Sequence, residues 1–157
     1  MDNLFNDLRC KVHLTWSIPD HKEVVVTSPD DVYRIVREEM VDSDREILIS
    51  ILLTAHGAVI GIEKVGVGGL CCCSVVPREL FKSAILANAN SIVLCHNHPS
   101  NDLTPSVEDG EITGKLQEVG RLLGIAVLDH LVVTSKGYTS IIYGETRSIL
   151  SRKNRKY

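Results

Sequence analysis

Residues 96–109 include His96 and His98 and, further on, Ser106 and Asp109, and this cluster constrains the chain more than any other feature. Residues 91–95 form a short apolar run with β-branched members, which predicts a buried strand that ends at His96 and His98. Because side chains of an extended segment repeat every two residues, both imidazoles can face the same way. They can therefore share one cation, although two histidines at this spacing are by themselves more often a surface or capping feature.

A predicted helix start after the histidines adds a carboxylate to the group. Thr104 suits the N-cap position and Pro105 the first helical position. Ser106 and Asp109, three residues apart, then project from one face of the helix. Two imidazoles and one carboxylate leave a fourth position for water, which is typical of a catalytic zinc site, although iron, manganese or cobalt also accept these ligands.

The spacing resembles the motif of the JAMM metalloproteases, also called JAB or MPN-plus proteins, in which His-x-His is followed after seven residues by Ser-x-x-Asp. The longer string, with Pro99-Ser100 and residues 104–109, is similar to the bacterial RadC branch, usually labelled DNA repair protein. Residues 76–80 and 128–131 match as well. The resemblance extends over about residues 28–143, which is most of the chain.

This resemblance implies an α/β fold, a mixed β-sheet flanked by helices in a JAB/MPN (cytidine-deaminase-like) domain. It implies a zinc ion held by His96, His98 and Asp109. It also implies that Glu46, at the position of the upstream glutamate of JAMM enzymes, takes a proton from water and delivers it to the leaving amine. Ser106 is expected to donate a hydrogen bond to the oxyanion. Without the resemblance, Glu46 would be interpreted as a solvated strand end.

The expected activity is therefore zinc-dependent hydrolysis of amide or peptide bonds. JAMM enzymes often cut isopeptide bonds to ubiquitin-like proteins, a substrate that bacteria generally lack, so a peptide or small amide is the expected substrate. Two other classes stay open. One is a DNA-repair-associated protein or nuclease, as the RadC label suggests, and the other is a metal-binding interaction module without turnover.

Two departures from RadC-like proteins affect these expectations. Such proteins commonly carry a helix-hairpin-helix region before this domain, and we expect none here because only 27 residues precede Ser28. The glycine usual after Pro-Ser is Asn101. Asparagine tolerates a left-handed backbone better than other non-glycine residues, so we expect the loop to keep its conformation.

The order of apolar and polar segments indicates an α/β sandwich with a mixed sheet. Hairpin turns are predicted at His56-Gly57 and at residues 135–137. Strands are predicted over residues 9–16, 23–27, 46–54, 58–65, 74–76, 91–96, 125–134 and 138–143. Helices are predicted over residues 29–40, 77–89 and 105–123.

Length and composition favour a single domain, since 157 residues with 44% hydrophobic content can bury one core. We expect residues 1–27 to be an N-terminal extension, 28–143 the RadC-like JAB/MPN domain, and 144–157 a basic tail. No segment approaches the length of a membrane span, and the N-terminus lacks the pattern of a signal peptide. The expected location is cytoplasmic.

The five cysteines do not form the pattern of a disulfide framework. Adjacent residues in a strand face opposite ways, so Cys71, Cys72 and Cys73 are interpreted as reduced thiols rather than as one chelating group. Cys10 and Cys95 are expected to be small core residues. The sequence leaves the role of the consecutive cysteines open.

The charge distribution disfavours nucleic-acid binding by the part of the chain that precedes the basic tail. The last six residues hold four of the 17 cationic side chains, which leaves 13 against 20 acidic ones and a net charge of about −7. Such a tail is most often a solvated end, and a weak contact with nucleic acid through it stays open. The sequence does not determine the oligomeric state.

Asp129 and His130 follow an apolar run and could lie behind the metal ligands, because a metal-bound histidine usually passes its other nitrogen to an acid or a carbonyl. Neighbours in a strand face opposite sides, so at most one of them can point to the site. A buried hydrogen-bonded pair within the sheet is an equally good interpretation.

Overall fold

The structure is a computed structural model that describes residues 23–68 and 75–149. The helices of this part are α1 (Pro29–Val41), α2 (Pro77–Leu86) and α3 (Val107–Leu123). The strands are β1 (Ile47–Leu53), β2 (Val59–Val67), β3 (Ser91–Asn97), β4 (Ala126–Thr134), β5 (Gly137–Ser140) and β6 (Thr146–Ser148). None of these helices is both long and apolar enough to cross a lipid bilayer.

The strands form one six-stranded mixed sheet in the order β2-β1-β3-β4-β5-β6. Strands β3 and β4 are parallel, and the other neighbours are antiparallel. A parallel pair needs a long crossover connection, and α3 supplies it. Consequently the end of β3 and the beginning of α3 lie at the same edge of the sheet. The expected α/β fold with a mixed sheet flanked by helices is confirmed.

Two apolar clusters cover the two faces of the sheet. Helix α1 packs on one face through Val32, Val36 and Met40, which contact the odd-numbered residues of β1 and β3. Helices α2 and α3 cover the other face, where Phe81 and Leu116 meet the even-numbered residues of β3. Every residue of β1 and β3 is buried, as expected for central strands covered on both faces.

Several predicted elements are confirmed. Helix α1 begins after Ser28 with the proline at its first position. Strands β1 and β2 pair as the predicted antiparallel hairpin. Strands β4 and β5 form the second predicted hairpin. Cys95 is a fully buried core residue, and this burial raises the pKa of its thiol.

Other predicted boundaries are wrong. Residues 23–27 make only an isolated bridge, Val25 with Ala58, because the segment crosses the hairpin end at one point. Helix α2 ends three residues early, at Leu86, since Asn88 adopts a left-handed φ of 53° that a helix cannot continue. The predicted strand ending at Tyr143 stops at Ser140, where a turn leads into β6, a strand that the prediction missed.

Some predictions lie outside the described residues. They concern the strand over residues 9–16, Cys10, the consecutive cysteines, Ser74 and the basic tail. Of the strand predicted over 74–76, the described residues 75 and 76 are not in a strand. The division into extension, domain and tail therefore stays a prediction.

Candidate metal centre

The two histidines and the aspartate of the sequence motif meet where β3 ends and α3 begins. His96 is the last residue but one of β3. Its side chain is on the face covered by α3, and only 1% of the residue is exposed. His98 follows the strand directly, and Asp109 lies in the first turn of α3. The crossover connection thus brings together ligands that a loop separates in the sequence. The three residues form a group that could hold a metal ion.

The distances between the three side chains suit a common ion. His96 Nε2 lies 3.1 Å from His98 Nε2 and 3.5 Å from Asp109 Oδ1. His98 Nε2 lies 3.7 Å from Asp109 Oδ2. Ligand atoms about 2.0–2.1 Å from a tetrahedral zinc ion are about 3.3 Å apart, which is close to these separations.

The hydrogen bond made by His98 Nδ1 leaves a lone pair on the other ring nitrogen, Nε2. Its Nδ1 lies 2.9 Å from the backbone oxygen of Asp102, which can only accept a hydrogen bond. The proton of the neutral ring is therefore on Nδ1, and Nε2 faces His96 and the Asp109 carboxylate with a lone pair. Nitrogen and oxygen lone pairs that converge in this way require a cation or a proton between them. The donor set therefore fits a divalent metal ion.

Asp109 is oriented by a reciprocal cap at the start of α3. Ser106 Oγ accepts a hydrogen bond from Asp109 N at 3.1 Å, and Ser106 N donates to Asp109 Oδ2 at 2.8 Å. The N-cap is thus Ser106 rather than the predicted Thr104, because only Ser106 has a carboxylate three residues later that can bond back to it. As the cap, Ser106 lies just outside the helix that was predicted to include it.

The electrostatics of the cluster favour bound positive charge. Burial acts to raise the pKa of Asp109, but the facing imidazoles of His96 and His98 outweigh it and hold this pKa well below its usual range. The Asp109 carboxylate in turn raises the pKa of His98, while burial opposes that shift. An ionised carboxylate and two imidazoles thus attract either protons or a metal cation.

His130 is the member of the Asp129-His130 pair that faces the metal centre. Its Nε2 lies 2.8 Å from His96 Nδ1, and its Nδ1 lies 2.6 Å from Thr113 Oγ1. The register of β3 and β4 shifts by one residue before Asp129, so that Leu94 pairs with His130. This irregularity turns His130 onto the α3 face. Burial lowers the pKa of His130 well below its usual value, and the nearby His96 adds to this shift.

The Asp129 side chain points away from the candidate ligands and accepts hydrogen bonds from other residues of the sheet. Its Oδ1 accepts hydrogen bonds from the His130 backbone N–H at 2.7 Å and from Ser140 Oγ at 2.8 Å. Burial raises its pKa, although these hydrogen bonds act against the shift. The prediction that at most one residue of the pair points to the site is confirmed, and the role of His130 behind a metal ligand stays a prediction.

Glu46, immediately before β1, lines a cavity that the three candidate ligands also line. The cavity has a volume of about 520 Å³, and Glu46 lines it together with both motif histidines, Ser106 and Asp109. The negative charge of Glu46 contributes to the raised pKa of His98, which reflects their proximity. The structure thus brings together all five predicted site residues, while their roles stay predictions.

Asn97, which the sequence interpretation missed, connects the backbone around Glu46 to strand β3, which carries the candidate ligand His96. Its Oδ1 accepts a hydrogen bond from Ile47 N at 2.6 Å, and its Nδ2 donates to the Arg45 oxygen at 3.0 Å. The side chain therefore binds the backbone on both sides of Glu46. Alternation along β3 predicts that Asn97 faces away from the histidines, but nothing in the sequence indicated what it would contact.

Asn101 keeps the loop between the histidines and the helix in the expected conformation. Its φ is 59°, in the left-handed region that the usual glycine would adopt. Its side-chain oxygen also accepts hydrogen bonds from Ser135 N at 3.1 Å and Ser135 Oγ at 2.7 Å. A glycine could not form these contacts, which connect the loop to the turn between β4 and β5.

A mixed sheet flanked by helices, with a His-His-Asp group at the β3–α3 crossover, defines a JAB-type domain, a class that often acts as a metallohydrolase. The chain belongs to the RadC-like JAB domain family, which it matches over residues 26–147.

Several curated bacterial proteins are similar to it. A UPF0758 protein of Desulfitobacterium hafniense is 45% identical over 117 residues, which cover 74% of this chain and 52% of the relative. A UPF0758 protein of Staphylococcus haemolyticus is 43% identical over 122 residues, 78% of this chain and 54% of the relative. The chain thus spans about half the length of the curated relatives it matches.

Proposed function

We propose that this domain is a zinc-dependent hydrolase of amide or peptide bonds. The observation that carries the proposal is the convergence of three candidate metal-ligand side chains and the carboxylate of Glu46 on a single cavity. A structural zinc site would use a fourth protein ligand. Among the described residues, the group of potential ligands contains only His96, His98 and Asp109.

The three ligands leave room for a substrate and a water molecule. Two nitrogen donors and one oxygen donor suit zinc, and they also accept iron, manganese or cobalt. When bound, the ion supplies Lewis-acid polarisation of a carbonyl group and lowers the pKa of water. The side chains of this domain must then provide the proton transfers and the orientation of the substrate.

Glu46 is proposed as the general base. A carboxylate that lines the cavity can take a proton from the attacking water and later pass it to the leaving amine. Asn97 forms hydrogen bonds to the backbone on both sides of Glu46, so the segment that carries the carboxylate is attached to β3. Such support keeps a proton acceptor at a constant distance from the ligands.

Ser106 is proposed to stabilise the oxyanion. Its Oγ accepts the hydrogen bond from Asp109 N, so the hydroxyl proton can be donated to another acceptor. The side chain lines the cavity beside the ligands. A hydroxyl held by a helix cap needs little reorganisation when negative charge develops on the substrate oxygen.

The charge of the cavity favours a peptide over a phosphodiester. Among the described residues that line it are five carboxylates and one lysine, namely Glu46, Asp102, Glu108, Asp109, Glu111 and Lys115. A phosphate backbone would be repelled by this surface even with a divalent ion bound. The proposed substrate is therefore a neutral or basic peptide or amide.

The test compares peptide and DNA hydrolysis by the purified protein after elemental analysis. We expect bound zinc, turnover of members of a peptide library, and a loss of about 10²- to 10⁴-fold in the Glu46→Gln variant. Glu118→Gln serves as the matched control, because Glu118 is exposed on α3 and does not line the cavity.

The remaining outcomes identify the other classes. Nicking of plasmid DNA that survives in Glu46→Gln would establish a nuclease instead. Bound zinc with neither activity would identify a metal-binding interaction module. Either result would contradict the proposed hydrolase.

A further inference from the structure

An unbroken chain of buried hydrogen bonds runs from His96 back to the ligand-bearing helix. His96 Nδ1 lies 2.8 Å from His130 Nε2, and His130 Nδ1 lies 2.6 Å from Thr113 Oγ1. Thr113 Oγ1 donates to the backbone oxygen of Asp109 at 2.6 Å. Each of these three side chains is at most 3% exposed, so water cannot replace a missing partner.

The chemistry of the last acceptor determines the direction of every bond in the chain. A backbone oxygen can only accept, so the single hydroxyl proton of Thr113 is donated to Asp109. Thr113 must then accept from His130 Nδ1–H. A neutral His130 consequently has a lone pair on Nε2 and accepts from His96 Nδ1–H. The Nε2 atom of His96 is left without a proton and faces His98 and Asp109.

We propose that His130 and Thr113 are positioning residues that keep the proton of His96 on Nδ1 and thereby direct its Nε2 lone pair to the metal ion. The proposal rests on the metal site of the proposed function. It also links the strand that carries His96 to the helix that carries Asp109, since the series of hydrogen bonds ends on the backbone oxygen of Asp109.

Because His130 is a neutral imidazole, the Thr113 hydroxyl decides which of its two nitrogens carries the proton. A carboxylate in the place of His130 would always accept a hydrogen bond from His96, regardless of its other contacts. An imidazole can accept or donate at Nε2, depending on its own tautomer. If the Thr113 hydroxyl is lost, His130 can move its proton to Nε2. His96 must then accept at Nδ1 and carry its own proton on Nε2, where it blocks metal binding.

The first test compares Thr113→Val, which keeps the shape but removes the hydroxyl, with Thr113→Ser, which keeps the hydroxyl. Zinc affinity is measured by competition with a chelating dye. We expect Thr113→Val to lose about 10- to 100-fold in affinity, and Thr113→Ser to stay close to the wild type. A second pair, His130→Gln and His130→Leu, retains or removes an acceptor near His96, so only the leucine variant should lose affinity to that extent.

The second readout is the tautomer of His96 in the metal-free protein, measured by long-range proton–nitrogen correlation of labelled imidazoles. We expect Nδ1–H in the wild type and in Thr113→Ser, and a shift toward Nε2–H in Thr113→Val. An unchanged tautomer together with unchanged affinity in Thr113→Val would overturn the proposal.

The two readouts separate this inference from the proposed function. A wild type with the expected tautomers but without zinc binding would contradict the metal site while supporting the hydrogen-bond direction. Zinc binding with an Nε2–H tautomer in the metal-free wild type would overturn the positioning role alone.

Discussion

At the scale of single residues, Asn97 has the clearest role beyond the motif. It lies between the two histidines in sequence, yet its side chain reaches to the opposite strand and binds the backbone around Glu46. The residue therefore couples the proposed base to the strand that carries the candidate ligand His96. The signal for this role is tertiary, because the partners are about fifty positions away in the chain.

We expect Asn97→Ala to lower kcat by about 10²-fold while zinc affinity changes little, since Glu46 shifts and the ligands stay. Loss of the acceptor for Ile47 N–H also destabilises the fold by about 1–3 kcal/mol. The measurements are kcat and zinc affinity, with Asn90→Ala as a control at the exposed, opposite end of β3. Lost zinc binding with unchanged turnover per bound ion would contradict this coupling.

At the scale of elements, helix α1 shows how local chemistry starts a helix. Asp31 accepts hydrogen bonds from Thr27 N at 3.0 Å, Thr27 Oγ1 at 2.9 Å and Ser28 Oγ at 2.8 Å. The Ser28 hydroxyl, together with Thr27, lowers the pKa of Asp31 from 3.8 to about 2. The helix start was foreseeable, because serine, proline and early acids are typical of it. The contacts were not, since Ser28 donates to the Asp31 carboxylate and makes no side-chain cap hydrogen bond to the helix backbone.

The lowered pKa of Asp31 predicts a pH dependence of stability. A carboxylate with a lower pKa in the folded state stabilises the fold above the unfolded pKa, and the contribution disappears as the pH falls through the folded pKa. We expect Asp31→Asn to be less stable than the wild type near neutral pH, and the difference to shrink between pH 3.8 and about 2. Denaturant unfolding across this range, with the exposed Asp44→Asn as control, measures it; a difference independent of pH would refute the assignment.

Helix α3 shows where element prediction fails. Two candidate caps, Thr104 and Ser106, lie close together, and propensity alone does not separate them. Thr104 N instead donates to Asp102 Oδ1 at 2.9 Å, within the preceding loop. The spacing of Ser106 and Asp109 was the signal for the correct cap, and the spacing of Asp109 and Thr113, four apart on one helix face, was the signal for the buried hydroxyl.

At the scale of the whole molecule, the candidate metal centre lies between a strand end and a helix start, beside the only parallel pair of the described sheet. An ion bound to His96, His98 and Asp109 would connect two layers of the fold. Binding to the native state alone must then stabilise that state by mass action.

We expect zinc at 100 times its dissociation constant to stabilise the protein by about 2.7 kcal/mol and to raise its melting temperature by on the order of 10 °C. Removal of the ion with a chelator should reverse the shift. The measurement is thermal unfolding with and without zinc, and Asp109→Asn should abolish the difference while Asp102→Asn retains it. A wild type whose melting temperature does not respond to zinc would refute the site.

The sequence by itself determined what depends on near neighbours. Side-chain alternation, capping residues and turn residues within a few positions predicted the strand before His96, the helix start at Pro29 and the β1–β2 hairpin. They also indicated that two histidines and an aspartate could converge. These patterns act locally, because they arise from backbone geometry and from hydrogen bonds within one or two turns of chain.

Only the tertiary structure decided which of Asp129 and His130 faces the candidate metal ligands, what Asn97 contacts, and that Thr113 is hydrogen-bonded to His130. The choice at Asp129 and His130 depends on an irregular register between β3 and β4, and one extra residue in a strand reverses the faces of all that follow. The shift exists only in the pairing of two strands that belong to distant parts of the chain. Packing joins residues distant in the chain, and for this reason local patterns could not specify it.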